Sequence, residues 1–496
     1  MRELFDRDFD VLVIGGGITG CGVARDASMR GLSVALVERD DFASGTSGRS
    51  SRLIHGGIRY LEQGRLHLVY ESIRERQILL TIAPHLVQPL AFTWPIYEGA
   101  RIGRVKLAAG LALYQLMALG KSPRPSLLGA TRTLDREPSL QPNGLKGGAV
   151  YYDAATDDSR LTVATAMSAS DNGAVIVNHV RATRILRERG RTIGAQVQSQ
   201  LTNESGEVRA RTVVNATGVW QNAAGAIEHS RRLRGSKGVH IAVPRERVGN
   251  RGAITMISSV DGRVMFCLPA GSHTIIGTTD TWTDESPENV HAAPADVEYL
   301  LRSANSYFPT ARLTFDDVVS AWAGIRPLVA TQSNNPTAVS REHSIVTDSS
   351  GVISVTGGKL TTYRAMAAEV VDRVQHSLGR AIKAARTDKV QLPAGFWDRD
   401  LRYIVEDDPS LATPLVEGLP YTGAQLVYAV ERGMAKTLSD LLVRRMHIAF
   451  ETRDHGKSVA ARAAEIVAPL LRWDENTKGA RIREYIADVE RTFAIS

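Results

Sequence analysis

Three glycine-bearing segments carry residue types suited to gripping phosphate: GGGITG at 15–20, TSGRSSRLIHGGIRYL at 46–61 and GGKLTTYR at 357–364. In the first, Gly15, Gly17 and Gly20 stand in GxGxxG spacing directly after the apolar run at 10–14. A short continuous apolar run ending on such glycines reads as a buried parallel strand entering a tight turn. A helix opening at that turn offers free backbone amides and a positive dipole end to a pyrophosphate. Glu38 follows the glycines by about 20 residues, the spacing at which an acidic side chain reaches a ribose 2′-hydroxyl.

The elements that must position these residues are legible around them. Gly22, Ala24 and Ala27 are small enough to let a helix pack closely on the first strand, Gly31 is a natural stop, and 32–37 reads as the second strand closing on Glu38. Strand, glycines, helix, strand and acid in register make a dinucleotide site, without separating FAD from NAD. The second segment separates them. Ser44, Gly45, Thr46, Ser47, Gly48, Ser50 and Ser51, followed by Gly56 and Gly57, suit a loop wrapping amides and hydroxyls around an extended cofactor, and a nicotinamide site rarely needs a second such loop.

That second segment resembles the one in FAD-dependent glycerol-3-phosphate dehydrogenases, within the D-amino-acid-oxidase-like flavoproteins. Further blocks agree in order: DDSRL at 157–161, NATGVW at 215–220, SKGVH at 236–240, GTTD at 277–280, GIRP at 324–327 and the GGKLTTYR segment. The resemblance covers essentially the whole chain. Departures are Arg52 where Lys is common, Gly48 and Val239 where Ser is frequent, and Ala270 where an aromatic residue often follows Pro269. Val239 offers no hydroxyl beside His240.

The resemblance implies an α/β fold with a discontinuous Rossmann-like FAD-binding domain, an inserted mixed-sheet substrate domain and a C-terminal helical domain. The oxidoreductase region would span 1–390, with FAD-binding segments near 1–80, 145–225 and 320–385 and substrate segments near 81–144 and 226–319. The helical domain would span 391–496, where short amphipathic helices include 425–431 and 437–445, the latter opened by a Thr437/Asp440 capping pair. Strand-like runs at 239–243, 264–268 and 274–276 belong to the substrate domain.

The implied activity is oxidation of sn-glycerol 3-phosphate to dihydroxyacetone phosphate, with hydride passing to flavin N5 and electrons to a membrane quinone. Such chemistry needs cations for a dianionic phosphate and a base for the C2 hydroxyl proton. Arg59, Arg326 and Lys359 are the cations, since a guanidinium clamps phosphate oxygens in bidentate fashion. His240 is the base, as imidazole titrates near neutrality. Tyr60 and Thr361 are hydroxyl partners, Arg341 is a further phosphate candidate, and Lys359 with the amides after Gly357 and Gly358 faces the flavin N1 and C2 carbonyl edge.

Non-covalent FAD would be held by Gly15, Gly17, Ile18, Thr19, Gly20, Glu38 and Arg39 in the first unit. In the wrap, Ser44, Thr46, Ser47, Ser50, Ser51, Arg52, Leu53, His55, Gly56 and Gly57 would hold it. Farther along, the same role falls to Val180, Ala216, Thr217, Gly218, Trp220, Gly324, Arg326, Gly358, Lys359, Leu360 and Thr361. Alternatives stay open: an oxidase passing electrons to oxygen, whose relatives usually carry an insertion not apparent here, an amine oxidase of the same superfamily, or a flavin-bearing protein without turnover.

Composition narrows the partners. The chain has 496 residues and 43% hydrophobic content, ordinary for two or three packed domains. Its two cysteines and the absence of clustered ligands at metal spacing exclude a disulfide framework and predict no metal, which suits a reducing cytoplasm. The first apolar run is the cofactor strand, preceded by mixed charges, so no signal peptide is expected. A net charge of +7 with arginines spread along the chain and no nucleic-acid motif points to an anionic substrate or membrane rather than nucleic acid. At 101–124, Arg101, Arg104, Lys106, Lys121 and Arg124 flank an apolar core too short to span a bilayer. Two readings fit: an interfacial helix with Leu107, Leu111, Tyr114 and Leu119 toward lipid on the inner face of the cell membrane, or a buried helix. A homodimer is a candidate assembly.

Overall fold

The computed structural model describes residues 1–221, 233–329, 342–394 and 398–496. Two sheets divide the work. In the first, the order is 343–347, 353–357, 205–215, 9–14, 34–37, 175–177, with 180–188 and 191–199 extending strand Ser205–Asn215 as an antiparallel meander. Strand Phe9–Ile14 is buried along its whole length and runs parallel to both neighbours, Val34–Val37 and Ser205–Asn215, as its continuous apolar sequence requires. Helices Ile18–Met29, Asp158–Asp171 and Tyr363–Ser377 cover one face through a core including Val11, Val13, Ala24, Val163 and Val370.

The turn between the first strand and its helix depends on two glycines. Gly15 has a φ of +110°, a region L side chains avoid, and a Cβ on Gly20 would lie 1.9 Å from the Gly15 carbonyl oxygen. Gly20 therefore lets the helix sit directly on the strand end, which aims the helix N-terminus at whatever occupies the turn.

The second sheet has ten strands, nearly all antiparallel, in the order 281–283, 233–244, 273–277, 264–270, 253–257, 87–97, 145–156, 53–54, with 320–329 added to Leu233–Pro244 and 126–129 to Leu145–Thr156. Strands Leu145–Thr156 and Ser320–Val329, grouped with the cofactor segments in the sequence division, hydrogen-bond here. The reason is their partners: both are long antiparallel strands paired to substrate-domain neighbours.

Alternation along Leu233–Pro244 sorts its side chains. Val239, Ile241 and Val243 enter the core under helix Pro294–Tyr307, while Gly238 and His240 face the opposite side. Val239 thus lies on the core face, away from the cavity that His240 lines. The register with Ser320–Val329 sets Trp322 beside His240, Gly324 beside Gly238 and Arg326 beside Ser236.

Helix Arg104–Met117 corrects the interfacial face expected above. Leu107, Leu111 and Tyr114 are buried in the core of the second sheet, and the Tyr114 hydroxyl donates to Asp153 at 2.6 Å. Only Leu119 of the four is exposed, together with Val105, Leu113 and Leu116. The apolar residues were identified correctly, but the stripe that packs inward is the one carrying the polar anchor. Arg101 and Lys106 pair with Glu62.

The last hundred residues are helical, with Gly423–Glu431, Ala460–Leu471 and Glu475–Thr492 contributing to the same core as the second sheet. Thr437 Oγ1 accepts from the Asp440 amide at 3.2 Å and Asp440 Oδ2 accepts from the Thr437 amide at 3.0 Å, so the reciprocal capping pair opens Asp440–Arg445, which winds as a π-helix. Asp41, beyond the second strand of the first sheet, receives Arg445 Nη1 at 2.6 Å and Arg444 Nε at 2.6 Å. His179 Nε2 lies 2.9 Å from Asp440. This buried ionic cluster locks the helical domain to the first sheet.

Gly20→Ala is expected to cost about 1–3 kcal/mol of stability, because the added methyl meets backbone that cannot swing aside. Urea unfolding of the variant against the parent measures it.

Candidate active site

A cavity of about 600 Å³ runs between the two sheets. At one end lie Gly15, Gly17, Ile18, Thr19, Glu38, Arg39, Val180, Ala216, Thr217, Gly218 and Trp220. Glu38 is held by the Gly16 amide at 2.5 Å and the Asp40 amide at 2.9 Å, which fixes its carboxyl at the strand end. Burial pushes its pKa up to about 7, although both amides oppose the rise. Arg39 sits over the Trp220 ring at 5.2 Å, and both side chains bond Glu288, which the sequence did not single out.

Along the middle, Ser44, Thr46, Ser47, Ser50, Ser51, Leu53 and His55 supply the wall from one side, and Gly324, Gly358, Lys359, Leu360 and Thr361 from the other. Ser47 Oγ accepts the Ile18 amide at 3.0 Å, and Thr46 Oγ1 donates to the Ile325 carbonyl at 2.6 Å, so the wrap is tied both to the helix start and to the second sheet. Thr361 Oγ1 accepts the His55 amide at 3.1 Å, which joins the third segment to the second. A Cβ on Gly15 would sit 2.6 Å from the Ala216 carbonyl oxygen, and one on Gly45 2.5 Å from the Trp220 ring. These glycines let the turn and the wrap close on the segment at 216–220, and the long cavity walled by amides and hydroxyls fits an FAD.

At the far end, Arg59, Tyr60, His240, Arg326 and Lys359 converge. Arg59 Nη2 donates to the Tyr60 hydroxyl at 3.0 Å while its Nε is buried without a partner. Lys359 Nζ lies 4.1 Å above the Tyr60 ring and 3.2 Å from Ser72 Oγ. Arg326 Nη2 donates to Thr278 Oγ1 at 3.1 Å, and its Nη1 lies 3.4 Å from Asp280. A Cβ on Gly238 would lie 2.4 Å from the Arg326 guanidinium, so that glycine makes the space the arginine occupies. Three cations lining one end of the cavity suit a doubly charged phosphate.

His240 stacks on Trp322 with centroids 5.5 Å apart and places Nε2 2.8 Å from Ser51 Oγ, while Nδ1 is buried without a partner. Burial, then the Arg326 and Arg52 charges, pushes its pKa down to about 3. His55 is pushed down to about 4, first by burial. Both rings are neutral at neutral pH, and a neutral imidazole can accept a proton.

Several expected cofactor residues act from behind the wall. The Arg52 side chain points away from the cavity: Nη2 lies 3.2 Å from His447 Nδ1 and its guanidinium covers Phe450 at 4.8 Å. Gly20 packs helix on strand, as above. Gly56 donates its amide to Tyr114 and Asp153, and Gly57, with φ +75°, abuts the Tyr60 ring. Arg341 lies outside the described residues. Sequence reasoning missed Arg49, Phe266 and Thr278, which line the cavity. Arg49 stands inside the small-residue wrap and Thr278 inside the GTTD block, signals that were available, whereas Phe266 reaches the cavity through strand pairing alone.

The cluster Asp41, His179 and Asp440 has the ligand types for a cation. Arg444 and Arg445 already occupy its carboxylates.

A family model described as FAD dependent oxidoreductase matches residues 10–373, and one described as the C-terminal domain of alpha-glycerophosphate oxidase matches 399–478. Glycerol-3-phosphate dehydrogenase 2 of Mycobacterium tuberculosis is 38% identical, covering 99% of this chain and 89% of its own. The aerobic glycerol-3-phosphate dehydrogenase of Staphylococcus saprophyticus is 33% identical, with 97% and 94% covered. The solved glycerol-3-phosphate dehydrogenase from Bacillus halodurans complexed with FAD superposes with a TM-score of 0.79 at 30% identity, covering 100% of this chain and 98% of that one. The L-alpha-glycerophosphate oxidase from Mycoplasma pneumoniae shares the fold, with a TM-score of 0.60 at 18% identity over 78% of this chain and 99% of its own.

Both buried histidines tie stability to pH. Their folded values lie below the ordinary 6.5, so an unfolding chain takes up protons first as pH falls. The stability that their neutral forms contribute is present above about 6.5 and is lost toward about 3 to 4, at about 1.4 kcal/mol per pH unit for each ring. Glu38, raised to about 7, opposes this over the same range, so the test is a difference: between pH 6.5 and 5, His240→Asn should lose stability with falling pH less steeply than the parent, by about 1.4 kcal/mol per pH unit in denaturation curves.

Proposed function

The chain belongs to the FAD-dependent oxidoreductases and, among them, to the glycerol-3-phosphate dehydrogenases; from that membership we propose how its own residues run the reaction and where its electrons go. It is an FAD-dependent glycerol-3-phosphate dehydrogenase, and the observation that carries the site assignment is the convergence of Arg59, Arg326 and Lys359 beside a neutral His240 at one end of the cavity.

Arg326 and Arg59 grip the substrate phosphate, the Arg59 guanidinium being oriented by its hydrogen bond to the Tyr60 hydroxyl. That grip sets the C2 carbon between His240 and the flavin end of the cavity. His240 takes the C2 hydroxyl proton at Nε2, the nitrogen on the Ser51 side, and the positive charge of the nearby arginines is offset by the phosphate as the imidazolium forms. Lys359, held over Tyr60 by Ser72, keeps a positive potential beside the reacting end. FAD held by these residues would supply the hydride-accepting ring, with a quinone as the proposed final acceptor. Ser51, Ser47 and Thr46 orient the cofactor, and Glu38 receives its ribose.

Membrane contact fits the exposed side of helix Arg104–Met117 rather than the buried side. Val105, Leu113 and Leu116, with Leu119 just beyond, form an apolar stripe, and Leu66 and Tyr70 are exposed on the neighbouring helix Leu66–Ile82. Arg104, Lys121 and Arg124 are exposed at its ends, where lipid phosphates would meet them. No helix among the described residues is long and apolar enough to cross a membrane. The reading is therefore peripheral docking on the inner face of the cell membrane, beside the quinone pool.

Anaerobic stopped-flow reduction by sn-glycerol 3-phosphate, followed by mixing with oxygen or a quinone analogue, tests the reaction and its acceptor. Rapid reoxidation by oxygen with release of peroxide, and none by quinone, would make the protein an oxidase. Arg326→Ala should raise KM about 10–100-fold, since a charge-assisted contact contributes about 1.5–3 kcal/mol. Glycerol should be a very poor substrate of the parent, and equal turnover of glycerol and its phosphate would sink the clamp.

Leu116→Glu combined with Leu119→Glu should release the protein from anionic vesicles and slow quinone reduction, while anaerobic flavin reduction stays at the parental rate. Raised salt should weaken parental binding only in part, because screening acts on the basic ends and not on apolar insertion. Unchanged vesicle binding by the double variant would move the contact elsewhere.

A further inference from the structure

We propose that Phe450, in the C-terminal helical domain, is a positioning residue for the catalytic histidine, acting through Trp322. The proposal rests on the reading of His240 as the base. Among the described residues the His240 ring hydrogen-bonds Ser51 and has no partner at Nδ1, so those hydrogen bonds alone leave it able to turn about that contact. Two surfaces stop it. A Cβ on Gly277 would lie 2.2 Å from His240 Cδ2, which places that backbone hard against one side. The Trp322 indole lies nearly parallel to the ring, with an interplanar angle of 14°.

Trp322 is in turn braced from the helical domain. Phe450 meets it edge-on with centroids 5.0 Å apart and an interplanar angle of 89°. Phe450 itself is fixed at three points. Its carbonyl accepts from Ser320 Oγ at 2.7 Å, its ring is capped by Arg52 at 4.8 Å, and Phe493 packs edge-on at 4.9 Å. Three residues earlier, His447 Nε2 lies 2.9 Å from Asp157, the residue that caps helix Asp158–Asp171. The charged and titratable groups facing this stack are Arg326 and Arg52 around His240, and Arg52, His447 and Asp157 around Phe450. Each aromatic contact is van der Waals in nature, so a gap under Trp322 lets the indole tilt and takes the stacking surface from His240.

Phe450→Leu tests this in the FAD-bound full chain. It should keep its flavin and an unchanged KM for glycerol 3-phosphate, while the limiting rate of anaerobic flavin reduction falls about 10–100-fold, the loss expected when a reacting group is misplaced by about an ångström. The acid limb of that rate should move up toward neutral pH, as the loosened imidazole gains water. Phe450→Tyr, which keeps the ring edge, should restore both. A Phe450→Leu enzyme with full flavin, parental rate and parental pH profile overturns the proposal. If that variant does not fold, His447→Gln loosens the same segment: a slowed rate with a shifted acid limb supports the proposal, and parental behaviour overturns it. A His240→Asn enzyme that reduces flavin at the parental rate overturns the base assignment and this proposal with it, a result distinct from failure of Phe450 alone.

Discussion

The hydrogen-bonded register between Leu233–Pro244 and Ser320–Val329 is the constraint on which the reacting end depends. It sets His240 beside Trp322, Gly238 beside Gly324 and Arg326 beside Ser236, so that one face of two strands presents an imidazole, the ring it stacks on, and a guanidinium. A slip of one residue would send this set into the core under helix Pro294–Tyr307 and bring Val239 and Ala323 to the cavity. The apolar residues on the alternate positions therefore do chemical work indirectly: Val239, Ile241 and Val243 hold the register by refusing water.

Electrostatics follow from the same placement. Burial first, and then the Arg326 and Arg52 charges, disfavour a protonated imidazole at His240, so it stands neutral beside the arginines. The first sheet solves a different problem. Its parallel strands and bare glycine turn present amides rather than charges to a cofactor, and the acid there, Glu38, is restrained by two backbone amides. Arg59, Arg326 and Lys359 line the His240 end of the cavity, whereas the glycine-turn end sets backbone amides beside Glu38 and Arg39.

The sequence was most informative where the determinant is local. The strand at 10–14, its glycine turn and Glu38 are written in consecutive residues, because the period of side-chain burial and the φ demanded by a turn are short-range properties. The apolar content of 104–117 was equally plain, but which stripe faces inward depends on Asp153, a residue some 40 positions later that recruits the Tyr114 hydroxyl. The direction of the Arg52 side chain was hidden for a similar reason: its partners His447 and Phe450, nearly four hundred residues away, have no local trace. Phe266 reaches the cavity only because its strand pairs with His273–Gly277 next to His240.

The Asp41 cluster has a consequence for biosynthesis. Asp41 and Arg445 are separated by 404 positions, so the carboxylate leaves the ribosome long before its guanidinium partners exist. Until they arrive, Asp41 needs water, and the loop that bears it stays solvated next to a glycine turn that is otherwise locally encoded. Closing so long a loop is slow relative to forming the strands and helices that flank it. The edge around Asp41 thus reaches its final packing only after Asp440–Arg445 has been synthesised and docked, and a chain halted before Arg444 would retain an acidic, hydrated edge where the finished protein has a sealed one.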